Sequence, residues 1–367
     1  MAGIARNAWL DSLRAFAILA VVVCHICSGF REVQPQIEGG SQIEGGLGAV
    51  AGIGGHGVDL FFVLSGWLLG CLLLKEKNET GSIDVKRFWI RRWFRTLPAY
   101  YVVLLLTFSQ RVIQERWQIE DAWYLVFAQN YVFESLPFLG ISWSLCIEEQ
   151  FYLLIAPLLL LLPTRSAITI ALALMILIPG IGRWIVADAN PWMTHLRIDG
   201  CAYGVLLAHV FLNYPEIWKR LEHVSPWGIL IGVGWLSVVI VNRYLGGGGD
   251  LPLFVYVLVS GFLVVLSQTT DFWKERATHP ILQYFASRSY SLYLVHIEGL
   301  AIARRFYDGS FVVFSLIAVV SSLLIAELLF RAVEKPWMRF RDRKIAGRSS
   351  KFTSRDGRTE HLTSSIS

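Results

Sequence analysis

The sequence predicts an all-α polytopic transmembrane bundle of about ten spans with both termini cytoplasmic, and three observations carry that expectation. The first is composition. Of 367 residues, 54% are hydrophobic and only 17% charged, with a mean hydropathy of +0.51, whereas a soluble domain holds roughly 25% charged residues. The second is block length: the apolar residues run in stretches close to the ~20 that a helix needs to cross a hydrocarbon core. The third is that Lys and Arg crowd into a few short connections, the asymmetry that orients membrane proteins.

Eleven apolar segments lie at 10–30, 57–74, 97–113, 121–136, 143–163, 166–187, 197–212, 226–244, 251–269, 280–300 and 310–333. The fourth is short, carries Gln129 and Asn130, and is followed by Pro137. It is therefore read as re-entrant or interfacial, which leaves ten spans. The first segment holds Arg14 and lacks a small-residue cleavage site, so it is a retained signal anchor. Lys75, Lys77, Lys86, Arg87, Arg91, Arg92 and Arg95 follow the second span. Arg165, Lys219, Arg220, Lys274, Arg276 and the tail from Lys335 share that side in a ten-span count, which makes it cytoplasmic. The outer side receives two glycine-rich loops, 39–57 and Gly246–Gly249. Arg111, Arg116 and the Arg304–Arg305 pair run against the rule. Residues 345–367 are polar and read as a disordered cytoplasmic tail.

Several functions are excluded by pattern. The net charge of +5 comes without a basic stripe interleaved with exposed aromatics, so no nucleic-acid partner is expected. All five cysteines, Cys24, Cys27, Cys71, Cys146 and Cys201, lie within apolar blocks and read as small hydrophobes, not as a disulfide framework or a metal site.

Ionisable side chains inside spans are costly and call for a reason. Arg14 and His25 are eleven residues apart, three helical turns plus ~20°, so they share one face with ~16 Å between them. Asp11, one turn before, partly neutralises Arg14. His25 is either a packed neutral histidine bonded to a carbonyl or a general base for a hydroxyl nucleophile. In the second span Asp59 stands near the outer end, at the expected depth of His25, where it either caps the helix or orients the imidazole. Gly66 and Gly70 in the same span read as a close-packing stripe. Arg92 and Arg95, in RRWFR between spans two and three, either anchor lipid headgroups or grip a phosphate-bearing ligand. Glu148 shares a face with Ser144 and Tyr152 and is expected in the His25 layer, with Glu149 turned to the interface. Arg197, Asp199 and His296 add further ionisable groups to that layer.

These residues fall into strings that resemble the acyltransferase-3 family of integral membrane acyltransferases: LDSLRAFAILAVVVCH, GVDLFFVLSG, RRWFR, WSLCIEEQFYL, RIDGCAYG, SYSLYLVH and the closing EKP, in the family's order across residues 8–340. The resemblance implies ten spans with cytoplasmic termini. It also implies an acyl-CoA co-substrate, usually acetyl-CoA, with no bound cofactor. The acceptor it implies is a hydroxyl of O-antigen, capsule, exopolysaccharide, peptidoglycan or another glycoconjugate, free or lipid-linked. By the same resemblance His25 would be the catalytic base, Arg14 a donor contact, and Arg92 and Arg95 coenzyme A contacts. Glu148 falls on the Glu of the family's Trp-Ser-Leu motif, and the SGNH hydrolase-like domain of one branch is lacking. A transporter of a lipid-linked glycan is the competing class; it would favour paired inverted repeats with interrupted spans, which the sequence does not display. A structural scaffold would give no reason for Arg14 and His25 on one face. The expected location is the cell (inner or cytoplasmic) membrane, crossed several times, with membrane lipids as partners.

Overall fold

The computed structural model describes residues 8–33, 42–186, 190, 192–244, 253–269, 279–307 and 309–344, and among them helices are the only regular elements. In chain order they are α1 (Ala8–Val33), α2 (Gln42–Gly55), α3 (Gly57–Thr80), α4 (Val85–Ile113), α5 (Gln129–Val132), α6 (Ser142–Leu161), α7 (Arg165–Ile185), α8 (Thr194–Arg197), α9 (Asp199–Asn213), α10 (Pro215–Tyr244), α11 (Leu253–Thr269), α12 (Pro280–Arg305) and α13 (Phe311–Leu329). Six helical stretches are long and apolar enough to cross a membrane: 8–33, 46–80, 85–113, 142–161, 165–185 and 311–344. Their outer faces are apolar, with Ile170, Ile178, Leu324 and Leu328 all more than half exposed. Such a surface suits lipid and not water. The protein is a multi-pass membrane bundle.

Local chemistry sets the helix ends. Asp84 accepts from the Arg87 backbone N–H at 2.9 Å to cap α4, and Thr164 does the same for α7 through Ala167 at 3.1 Å. Helix α3 stops at Gly81, whose φ of 73° suits glycine and lets its N–H return to the Lys77 carbonyl. Lys77 then donates to the orphan carbonyls of Leu159 and Leu162, so one cation caps the C-terminus of α6.

Contacts between helices give their relative directions. Gly54 meets Ala20 and Cys24 while Gly57 meets Ala17 and Val21, so α1 and α3 run antiparallel. Pairs His25–His296, Gly29–Leu300 and Glu32–Arg304 climb together, so α1 and α12 are parallel. Ser65–Glu148 and Lys77–Leu162 make α3 and α6 parallel as well. Between those two parallel helices only α4 crosses. The short helix at Ile119–Val126 and α5 return to the same side, as their lengths of 8 and 4 residues require.

The expected close-packing stripe on α3 is present. A Cβ on Gly66 would lie 2.0 Å from the Cys201 carbonyl oxygen, and one on Gly204 2.2 Å from that of Val63. Backbone therefore touches backbone between α3 and α9.

Three expectations need correction. Residues 42–55, expected as part of a glycine-rich loop, form α2, because Gly54 is a contact glycine: its Cβ would lie 2.5 Å from the Ala20 carbonyl oxygen. The arginine segment expected between spans is the first half of α4, which begins at Val85. Glu149, expected at the interface, is 5% exposed and accepts from Thr96 Oγ1 at 2.9 Å, because α4 packs over that face of α6. Two of the four arginines that run against the charge rule have local partners: Arg111 pairs with Asp121 at 3.1 Å, and Arg304 with Glu32. The Gly246–Gly249 loop and the 345–367 tail lie outside the described residues.

Candidate functional site

A cavity of about 80 Å³ opens inside the bundle where α1, α3, α4, α6 and α12 meet. Arg14, Arg92 and Arg95 line it together, with Glu148 the single carboxylate among the lining residues. The helical rise explains the meeting: Arg92 and Arg95 are one turn apart on α4 and face α1 at the turn that carries Arg14. Asp11 approaches Arg14 at 3.6 Å, as its spacing predicts. Among the described residues, neither Arg92 nor Arg95 has a carboxylate within 4 Å. The Arg92 Nε–H is buried without an acceptor, and its guanidinium lies 4.3 Å over the Tyr152 ring. The Glu149 Oε2 is likewise buried without a donor. Buried groups left open beside a cavity are what an absent polar ligand would complete.

Glu148 belongs to this cationic group and not to the layer of His25. Ser65 Oγ donates to Glu148 Oε1 at 2.7 Å, and the Tyr152 hydroxyl donates to Ser65 Oγ at 3.3 Å. The reason is the direction of α3, which runs antiparallel to α1 and carries Ser65 away from the level of His25 towards the turn of Arg14. Ser144 also lines the cavity, and it shares a 2.6 Å hydrogen bond with the Tyr293 hydroxyl.

His25 stands apart from the cavity lining, and its partner is His296. The two rings meet edge to face, with centroids 4.9 Å apart and His296 Nε2 3.3 Å from His25 Nδ1. His25 Nδ1 also faces the Val21 carbonyl at 2.9 Å. Tyr293 bridges the two sites: it lines the cavity, and its ring centroid is 5.8 Å from that of His296. Tyr290, Tyr293 and His296 recur every third residue along α12, a spacing visible in SYSLYLVH. That is the signal by which the two tyrosines could have been found.

Asp59 does not touch His25. It is 1% exposed, and its two oxygens are taken by Arg197 at 3.0 Å and by His56 Nδ1 at 2.7 Å. Arg197 in turn lies 5.4 Å over the Trp143 ring, and Asp199 pairs with Arg183 at 2.6 Å. Arg197 and Asp199 thus lock α8 and α9 to α3 and α7. The single ionisable layer expected from the sequence resolves into four groups: the arginine cavity, the histidine pair, the Asp59–Arg197–His56 network and the Arg183–Asp199 pair. His56 lies one residue before the apolar segment that begins at 57, and its spacing of three residues to Asp59 is the sequence signal that joins it to the Asp59 network. Among the described residues no cluster of three metal-ligating side chains forms.

Fold and site define a multi-pass membrane protein with a cationic intramembrane cavity one helical turn from a paired histidine. The chain belongs to the acyltransferase-3 family: residues 7–331 match its acyltransferase domain. It is 30% identical over 381 residues to "Putative O-acetyltransferase SAR0937" of Staphylococcus aureus strain MRSA252, covering 93% of this chain and 59% of that protein. It is 28% identical over 374 residues to O-acetyltransferase OatA of Staphylococcus aureus strain NCTC 8325, covering 89% and 56%. The chain thus spans less than three-fifths of the length of these relatives. No solved structure matches it.

Proposed function

We propose that this chain is a membrane O-acyltransferase that takes an acyl group, acetyl by the names of its relatives, from acyl-CoA and passes it to a hydroxyl of a cell-surface polysaccharide or other glycoconjugate. The observation that carries this reading is the convergence of Arg14, Arg92 and Arg95 on one cavity with an unsatisfied Nε–H aimed at no protein acceptor. Lipid-anchoring arginines would instead face the headgroups. Planar guanidinium forks suit phosphate oxygens, and coenzyme A carries a 3′-phosphate and a pyrophosphate.

In this reading the phosphates dock on Arg92 and Arg95 and the pantetheine arm runs past Arg14, between Ser65, Ser144 and Tyr293, towards His25. The ~16 Å rise from Arg14 to His25 is within the length of the extended arm. His25 Nε2 takes the proton of the acceptor hydroxyl, whose oxygen attacks the thioester carbonyl. The C–S bond breaks, and the proton passes from the imidazolium to the departing thiolate. Ten spans with cytoplasmic termini place the arginines near the cytoplasmic donor and His25 towards the acceptor side, in the cytoplasmic membrane. The parallel pairs α1–α12 and α3–α6 support that count, since both follow from ten alternating spans once segment 119–132 is left uncrossed.

Mass spectrometry of surface glycans from cells with and without the intact gene tests the function. The expected result is loss of one acyl mass from one glycan; an unchanged acylation pattern, with the glycan itself depleted, would favour a transporter. Reporter fusions test the topology: a fusion at Lys219 should read inside and one at Gly247 outside, and a reversal at either place would overturn the two-sided arrangement.

A further inference from the structure

We infer that His296 is a positioning residue of His25, acting with the Val21 carbonyl to hold it in the tautomer whose Nε2 lone pair is free to act as a base, a role that in many histidine-based sites falls to a carboxylate. The inference rests on the proposed acyl transfer at His25 and concerns how that histidine is held.

Carbonyl oxygens only accept, so a ring nitrogen facing one must carry a proton. His296 Nδ1 lies 2.8 Å from the Tyr293 carbonyl and 3.2 Å from that of Leu292, so Nδ1 is the protonated nitrogen and Nε2 has the lone pair. That lone pair points at His25 Nδ1, 3.3 Å away. His25 Nδ1 in turn faces the Val21 carbonyl at 2.9 Å, so it too carries its proton, shared between Val21 and His296. One tautomer of each ring satisfies every contact. The opposite assignment at either ring sets a lone pair against a carbonyl oxygen. His25 is left with an unprotonated Nε2, for which the described residues supply no hydrogen-bond partner.

The surroundings fix His296 itself. It is fully buried, its backbone carbonyl accepts from Ser322 Oγ at 3.3 Å, and Gly299 one turn on lets α13 pack closely, its Cβ position being 2.0 Å from Ser322 Oγ. Among the described residues no carboxylate is bonded to either ring. Asp59, the candidate orienter by sequence, is committed to Arg197 and His56. When His25 gains a proton at Nε2 its Nδ1–H becomes a stronger donor, and His296 Nε2 is the second acceptor that stabilises it.

Two His296 variants test this. His296→Phe keeps a buried planar ring but offers no acceptor; His296→Gln offers a carbonyl oxygen at similar reach. His296→Phe should lower kcat by roughly a hundredfold, the lower end of what a general base contributes, since the Val21 carbonyl still holds the Nδ1 proton in part, with KM for acyl-CoA unchanged. His296→Gln should restore most of that loss. Nitrogen NMR of protein labelled at the histidine rings should show the His25 signal, identified by its absence in His25→Gln, shift from the Nδ1–H towards the Nε2–H tautomer in His296→Phe. Where the Phe variant does not accumulate in the membrane, His296→Leu takes its place in the same NMR measurement. A His25 ring that stays Nδ1-protonated in the apolar variant, or a kcat within threefold of wild type, overturns the inference. If His25→Ala is inactive while His296→Phe is active, only this inference fails; if both are active, the proposed chemistry at His25 fails with it.

Discussion

His25→Ala is expected to abolish acyl transfer while the protein remains folded and inserted. A general base contributes roughly 10²–10⁴-fold in rate, and among the described residues no second basic group is placed to substitute. His296 is the nearest candidate, but its Nε2 is turned to His25 and it is fully buried. The fold should tolerate the change, because His25 is only half-buried and its one backbone contact, to Val21, lies within its own helix. Acyl transfer is measured in membranes matched for protein abundance. Activity within a few-fold of wild type would make His25 a packing residue and remove the centre of the proposed chemistry.

Arg92→Lys and Arg95→Lys should each weaken acyl-CoA binding by roughly thirtyfold, equivalent to about 2 kcal/mol for a charge-assisted bidentate contact. Lysine keeps the charge but loses the planar fork, so a phosphate site is damaged where a lipid anchor would be nearly indifferent. Arg92 should be the more sensitive, since its buried Nε–H and its stacking on Tyr152 both depend on the guanidinium. Donor binding to purified protein is the measurement, with dephospho-coenzyme A as the comparison. If the 3′-phosphate is the partner of one arginine, wild type and that Lys variant should differ less with the dephospho form. Wild-type affinity for acyl-CoA in both Lys variants would place the donor elsewhere. It would not touch the histidine prediction, so the two tests separate the donor site from the base.

The residues of the candidate site were legible in the sequence, but most of their partners were not. Arg14 and His25 could be placed on one face because both lie on one helix, where the 3.6-residue period fixes direction. Arg92 and Arg95 could be paired for the same reason. Glu148 was matched with Ser144 and Tyr152 by spacing, and all three do lie at or beside the cavity. Depth was the quantity that misled. From their positions near apparent span ends, Asp59 and Glu148 read as level with His25. Helix α3, however, begins beside Ala17 and Val21, already inside the bundle, so Ser65 and Glu148 meet at the arginines.

The sequence by itself determined the helical membrane class, the lack of a helix of spanning length in segment 121–136, the glycine stripe of α3 and the identity of the ionisable groups. Each follows from a local property: apolar length, helical period, or the expense of a charge in lipid. Only the tertiary structure decided who pairs with whom. It gave Asp59 to Arg197 and His56, Glu149 to Thr96, and His25 to His296 across 271 residues of chain. Such pairings depend on how far each helix slides along its neighbour. A shift of one turn, about 5.4 Å, leaves the sequence pattern of every helix intact and exchanges nearly every partner between them.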